Sequence, residues 1–356
     1  MNHSRFSRIQ TFIEQRIQDR KLAGAASLVA RNGRIVHCKV QGFADVETGK
    51  LLERDAIFRL ASMTKPIIGV AAMMLVEEGK IKLSDPLGKF IPEFDRGITI
   101  HHLLTHSCGL GQGPIGFQEM LMPGLGDTLA IHIPKWAKVP LDFQPGSQTG
   151  YSPIAAFDIL GRVIEITSGI PLDQYLHQFL FQPLGMKDTT FVPTDKQWQR
   201  VVTMYEGTDQ GLVKFKDQKI FFHPRYFSGA AGLFGTLDDY CRFAQMLANG
   251  GELGGYRILS EMSVRIMGTA QLADTIEGFP RGQAWGLSMR VITDRAAAGT
   301  SLSNGSFGWS GAWGTHFWVD PKENLVALLM INLANAGGAD AETAREFEGA
   351  VMRSLN

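Results

Sequence analysis

Ser62 and Lys65 stand three residues apart in Ser62-Met63-Thr64-Lys65, a spacing that brings two side chains to one face of a helix. A serine hydroxyl held beside a lysine amine can attack a carbonyl while the amine handles the proton, so the chemistry on offer is nucleophilic. The run that follows, residues 67–76, is apolar on every face. As a helix it must be enclosed by the rest of the protein, and it is too short to span a bilayer. Pro66 is compatible with a first helical turn, where backbone N–H groups lack partners, and Gly79 is placed to end the helix as a left-handed cap. Ser62 then lies at the positive end of the helix dipole with Lys65 within reach. The four residues alone also fit a capping serine followed by a solvated lysine. Context separates the two readings, because a first-turn lysine opposes the helix dipole and this one opens a helix that must be buried.

Two further segments carry chemistry-bearing types. Tyr151 sits in Gly146-Ser147-Gln148-Thr149-Gly150-Tyr151-Ser152-Pro153, a turn-rich stretch before a helix and a place where function concentrates. Without Ser62 as a partner it would be an ordinary rim tyrosine. Gly308-Trp309-Ser310-Gly311-Ala312-Trp313-Gly314 precedes a strand. It is either a tightly bent packed edge or a substrate wall with backbone donors.

Other patterns are set aside. His102 and His106 have the i, i+4 spacing of a metal pair, but no glutamate follows the first as a His-Glu-x-x-His site needs, and helix-surface or capping roles are expected. The glycines of residues 229–235 have the wrong spacing for a dinucleotide or phosphate loop, which leaves close backbone packing beside the cleft. The segments at Ser152 and Ser310 both lack the last glycine of a Gly-x-Ser-x-Gly elbow, which argues against an α/β-hydrolase esterase. No metal and no cofactor is implied.

The elements that must position these residues follow from periodicity. Residues 6–17 repeat at the helical period, and residues 25–30 and 34–41 read as strands joined by Asn32-Gly33, a strong hairpin signal. Residues 315–319 and 324–330 flank the turn Asp320-Pro321-Lys322-Glu323 as a second hairpin, residues 285–291 read as a fifth strand, and residues 341–355 as a closing helix. A Thr-x-x-Asp start at Thr236 opens a helix to Leu247. Both ends of the chain thus build one antiparallel sheet flanked by helices, an α/β layered fold, from residues 1–98 and 214–356. Residues 99–213, rich in helices, Gly and Pro, are expected to form a mainly helical inserted domain with a cleft between the two.

Of the 356 residues 44% are hydrophobic, enough for a large core. Lys plus Arg and Asp plus Glu balance at 35 each, which gives no electrostatic case for nucleic acid or an acidic membrane surface. Three cysteines, Cys38, Cys108 and Cys241, with no Cys-x-x-Cys spacing suggest free thiols in a reducing compartment. With no apolar signal core near Met1 to Ser4 and no later apolar run of spanning length, the expected setting is soluble and cytoplasmic. Oligomeric state leaves no trace in the pattern.

Taken in order, Ser62-Met63-Thr64-Lys65, Tyr151-Ser152-Pro153 and Trp309-Ser310-Gly311 make the chain resemble the serine β-lactamase and penicillin-binding-protein superfamily, above all its class C-like branch and the family VIII carboxylesterases. Residues 103–110, 183–186 and 231–236 look like further family segments. The resemblance implies acyl transfer through a serine ester: Ser62 as nucleophile, Lys65 and Tyr151 sharing the proton transfers, and the N–H groups of Ser62 and Ala312 holding the oxyanion. Which of Lys65 and Tyr151 takes the proton first stays open. Substrate contacts are implied for Pro153, Trp309, Ser310 and Gly311. Where β-lactamases of this kind carry Tyr-x-Asn this chain has Pro153, and where they carry Lys-Thr-Gly it has Trp309-Ser310-Gly311, which removes an amide and a cation. The expected substrate is therefore a small carboxylic ester, with weak β-lactam hydrolysis. The alternatives are a β-lactamase or D,D-peptidase, and a noncatalytic binding module, which would be expected to lack Ser62 or Lys65.

Overall fold

The computed structural model describes residues 5–111, 123–124, 126–219, 222–273, 276–338 and 341–355, so Met1 to Ser4 lie outside the described residues. Eight strands form one sheet. From edge to edge they are Gln283–Trp285, Arg290–Ile292, Phe307–Ser310, His316–Asp320, Leu325–Ile331, Gly24–Arg31, Arg34–Asp45 and Lys50–Leu51, each antiparallel to the next. The two ends of the chain meet where Gly24–Arg31 pairs with Leu325–Ile331, Ala25 opposite Ile331.

Alternation along these central strands divides the core into two layers, as the two-residue period of a strand requires. Ala25, Val29, Leu325, Ala327 and Leu329 point to one face, where they meet Ile9 and Ile13 of the Ser7–Gln18 helix and Phe347 and Val351 of the Glu342–Arg353 helix. Ala26, Leu28, Val326, Leu328 and Met330 point to the other, toward the Leu237–Ala248 and Thr64–Glu77 helices. Asn32 and Gly33 both take positive φ, 50° and 72°, as the predicted hairpin turn demands. Thr236 caps the Leu237–Ala248 helix by accepting from Asp239 N at 3.2 Å. Gly169 closes Ala155–Ser168 at φ 78°, and Gly79 follows Thr64–Glu77 at φ 72°.

One expected strand is two. Residues 285–291 fold back on themselves, so that Gln283–Trp285 pairs with Arg290–Ile292 across a turn closed by Gly286 N donating to Met289 O at 2.8 Å. The turn is forced by close approach: a Cβ on Gly286 would lie 2.1 Å from Met267 O, and Ser288 takes φ 68° while its N–H reaches Leu104 O at 2.8 Å. The apolar run concealed a turn that tertiary contacts dictate. Within residues 99–213 the helices Ile100–Leu104, Leu129–Trp136 and Ala155–Ser168 precede a short hairpin, Tyr205–Thr208 with Gly211–Lys214. Val201 and Tyr205 bridge Ile57 and Leu333, which ties the end of this segment to the sheet layer.

Candidate active site

Ser62 lies on a turn, not on the helix proper. The strand Ile57–Arg59 pairs with Phe234–Thr236, the chain then makes a tight turn over Ala61–Met63, and the α-helix begins at Thr64. Ala61 adopts φ 46°, a left-handed conformation costly for a residue with a Cβ. That strain sits directly before Ser62. The serine does not cap the helix: its Oγ accepts from Tyr151 OH at 2.7 Å and from Lys65 Nζ at 3.1 Å. Three residues from two separate segments therefore meet at one oxygen.

Lys65 is fully buried. Its ammonium also donates to Pro153 O at 2.7 Å and to Ala230 O at 3.0 Å, and it lies 5.1 Å from the Tyr151 ring centroid and 5.7 Å from that of Phe157. Such contacts suit a cation short of water. Pro153 thus meets Lys65 through its carbonyl. Ala230 is held by a residue the sequence reading missed: Asp158, buried on the Ala155–Ser168 helix, accepts from Ala230 N at 2.9 Å, Ser228 Oγ at 2.7 Å and Tyr226 OH at 2.6 Å. Burial pushes the Asp158 carboxyl up, against those three donors and the Lys65 charge. The glycines around it serve close packing as expected, since a Cβ on Gly229 would lie 2.4 Å from Phe157 O.

His106 corrects a second expectation. His102 does cap its helix, with Nδ1 accepting from Thr99 N at 3.2 Å, but His106 is not on a surface. It is fully buried at φ 53°, its carbonyl accepts from Gly150 N at 2.8 Å and its Nδ1 from Ser152 N at 3.0 Å, so it grips the chain on both sides of Tyr151. Its ring lies 4.7 Å from that of Tyr151 and 4.4 Å from that of Trp285. Burial, aided by the Lys65 charge, holds its basicity well below the usual histidine range, which keeps it neutral. Among the described residues no group of three or more His, Cys, Asp or Glu converges to hold a metal ion.

A cavity of about 400 Å³ opens over Ser62 and Tyr151, lined further by Phe279, Trp285, Trp309, Ser310, Ala312 and Arg290. Trp309 and Trp285 pack at 4.8 Å and Phe279 against Trp285 at 4.8 Å, so one wall is aromatic. Gly311 brings this wall against the nucleophile turn: a Cβ there would lie 2.4 Å from Leu60 O and 2.2 Å from Thr315 Oγ1. Gly311 N donates to Thr315 O at 2.7 Å and Thr315 Oγ1 to Leu60 O at 3.0 Å, which fixes Ala312 beside the Ser62 turn. Phe279 carries no signal in its sequence neighbourhood, and Trp285 and Arg290 read only as parts of a strand.

The fold is that of the β-lactamases and penicillin-binding proteins. The chain belongs to the β-lactamase family, whose profile matches residues 9–350. It is 34% identical over 369 residues to Esterase EstB of Burkholderia gladioli, covering 93% of this chain and 91% of that one. It is 27% identical over 383 residues to a putative D-alanyl-D-alanine carboxypeptidase of Escherichia coli K12, covering 96% and 85%. Among solved structures it is similar to EstCE1, described as a hydrolase with promiscuous acyltransferase activity, at TM-score 0.89 and 28% identity over 98% of both chains. Among the described residues no helix is long and apolar enough to cross a membrane.

Proposed function

We propose that the protein is a serine carboxylesterase that works through an acyl-enzyme on Ser62. The observation that carries this is the convergence of Tyr151 OH and Lys65 Nζ on Ser62 Oγ, at 2.7 and 3.1 Å, on the floor of an aromatic cavity. Ser62 Oγ attacks the ester carbonyl, and its proton leaves on the Tyr151–Lys65 pair, which returns one to the departing alcohol. Backbone N–H groups of Ser62 and Ala312 take the oxyanion, as the pinned Gly311 turn allows. Water then attacks the acyl-enzyme by the same route in reverse. The named esterase relatives support an ester as substrate over a peptide, as does the absence of a lysine at position 309. We place the cleft between the helical segment 99–213 and the sheet layer. A reducing, cytoplasmic setting fits three free cysteines, of which Cys108 and Cys241 are buried.

Ser62→Ala tests the reading. Turnover of p-nitrophenyl butyrate should fall on the order of 10⁴-fold or more, and intact-mass spectrometry should show no fluorophosphonate adduct. Unchanged turnover in that variant would sink the assignment.

A further inference from the structure

Beside Ser62 the same cavity contains a second serine with its own histidine and carboxylate. Ser310 Oγ lies 2.7 Å from His316 Nδ1, and His316 Nε2 lies 3.1 Å from Glu348 Oε1, an electrostatic contact without hydrogen-bond alignment. Glu348 also accepts from Arg290 Nη2 at 3.1 Å and from Thr300 Oγ1 at 3.1 Å. All of Ser310, His316, Glu348 and Arg290 are 5% exposed or less, while Ser310 and Arg290 still line the cavity. The residues come from three strands and the closing helix.

The hydrogen-bond sense of this chain can be worked out from its far end. Arg290 supplies one positive charge against the one negative charge of Glu348, so a second cation on His316 would be surplus in a buried site. A neutral imidazole beside a carboxylate keeps its proton on the nitrogen facing that carboxylate, here Nε2. Nδ1 is then an acceptor, and the only hydrogen of Ser310 is committed to it.

We propose that Ser310 is a specificity-determining hydrogen-bond acceptor, locked in that sense by His316 and Glu348, which selects esters bearing a hydroxyl or amide N–H donor and disfavours those bearing a carboxylate. A free serine at this place could turn its hydroxyl toward a carboxylate. This one presents only lone pairs to the cavity, so a substrate carboxylate gains no donor from Ser310. The inference rests on the esterase reading and deepens it. His316 and Glu348 act through Ser310 as positioning residues.

Two measurements test it. The first does not depend on catalysis: ¹⁵N-histidine NMR of the intact protein at neutral pH should show His316, assigned from its loss in His316→Gln, as the neutral Nε2–H tautomer. An Nδ1–H tautomer or an imidazolium would overturn the proposal whatever the enzyme cleaves. The second compares kcat/KM for p-nitrophenyl butyrate, 3-hydroxybutyrate and hydrogen succinate. In Ser310→Ala the ratio of 3-hydroxybutyrate to butyrate should fall about tenfold, the scale of one lost hydrogen bond, and the ratio of hydrogen succinate to butyrate should rise. Equal losses on all three substrates would mean that Ser310 only supports the wall. Failure of Ser62→Ala to abolish turnover would instead strike the parent reading while leaving the tautomer result intact.

Discussion

Two buried cations flank the cavity, and the protein treats them in opposite ways. Lys65 is surrounded by neutral oxygens, those of Ser62, Pro153 and Ala230, and by the rings of Tyr151 and Phe157. Arg290 is bonded to a carboxylate, Glu348, at 3.1 Å. A cation among neutral acceptors has no directly bonded counter-charge, so it can share a proton with the Ser62 hydroxyl it touches. A cation matched by a carboxylate is fixed in charge, and what it contributes is the orientation of the groups attached to it. The difference separates chemistry from selection within one cavity.

Removing Lys65 should therefore break turnover. Lys65→Ala and Tyr151→Phe are each expected to lower kcat/KM for p-nitrophenyl butyrate by about 10²- to 10⁴-fold, the scale of acid–base assistance. If Tyr151→Phe kept full activity, its 2.7 Å bond to Ser62 Oγ would be structural and the proton route would have to run through Lys65 alone.

Removing Arg290 should break the fold instead. Arg290→Met leaves Glu348 buried and without its cation, for which a loss of about 3–5 kcal/mol is expected. Lys65→Met strands no directly bonded carboxylate and should cost clearly less. Urea denaturation of both variants decides the matter: equal destabilisation would erase the distinction between the two cations.

A smaller effect separates ester from lactam. Where the resemblance to β-lactamases implies a side-chain amide and a lysine, this chain carries Pro153 and Trp309. At about 1.5 kcal/mol each, their loss comes to about 3 kcal/mol, or on the order of a hundredfold in kcat/KM for nitrocefin relative to p-nitrophenyl butyrate. A preference for nitrocefin in one buffer would move the enzyme into the β-lactamase class while leaving the roles of Ser62, Lys65 and Tyr151 unchanged.

The two walls also differ in how far the sequence disclosed them. Ser62 and Lys65 are three apart in the chain and Tyr151 lies in a turn-rich loop, so local rules and a known motif were enough to find them. The central hairpins were equally plain, because Asn32-Gly33 and the alternation of residues 325–331 specify turn and register locally. Ser310 was visible only as part of a segment. His316, Glu348 and Arg290 read as ordinary strand and helix residues, and they meet only because the closing helix packs on the sheet. His106 differs for a related reason: its spacing from His102 implies a common helix face, whereas the helix ends at Leu104 and His106 itself is left-handed and buried. Asp158 lies on the helix that follows Tyr151, and nothing local marks the loop that brings three donors to it.

The finest distinction lies between two buried carboxylates, Glu348 in the selecting wall and Asp158 behind Lys65. Contacts with His316, Arg290 and Thr300 hold Glu348 below the usual glutamate range despite its burial. The unfolded chain therefore takes up this proton first as pH falls, and the stability that Glu348 contributes is full above its unfolded pKa and is lost as pH drops toward the folded value. Asp158 runs the other way, because burial raises its carboxyl, so the folded state takes up that proton first and gains relative stability on acidification. Wild type, Glu348→Gln and Asp158→Asn can be unfolded in urea from pH 7 down to the onset of acid denaturation. The stability gap between wild type and Glu348→Gln should narrow as pH falls, since protonation removes in the wild type the charge that the substitution has already removed. The gap between wild type and Asp158→Asn should shift in the opposite direction. A Glu348 gap independent of pH would mean that the carboxylate is not held as an anion by its partners, and the orientation assigned to His316 would lose its anchor.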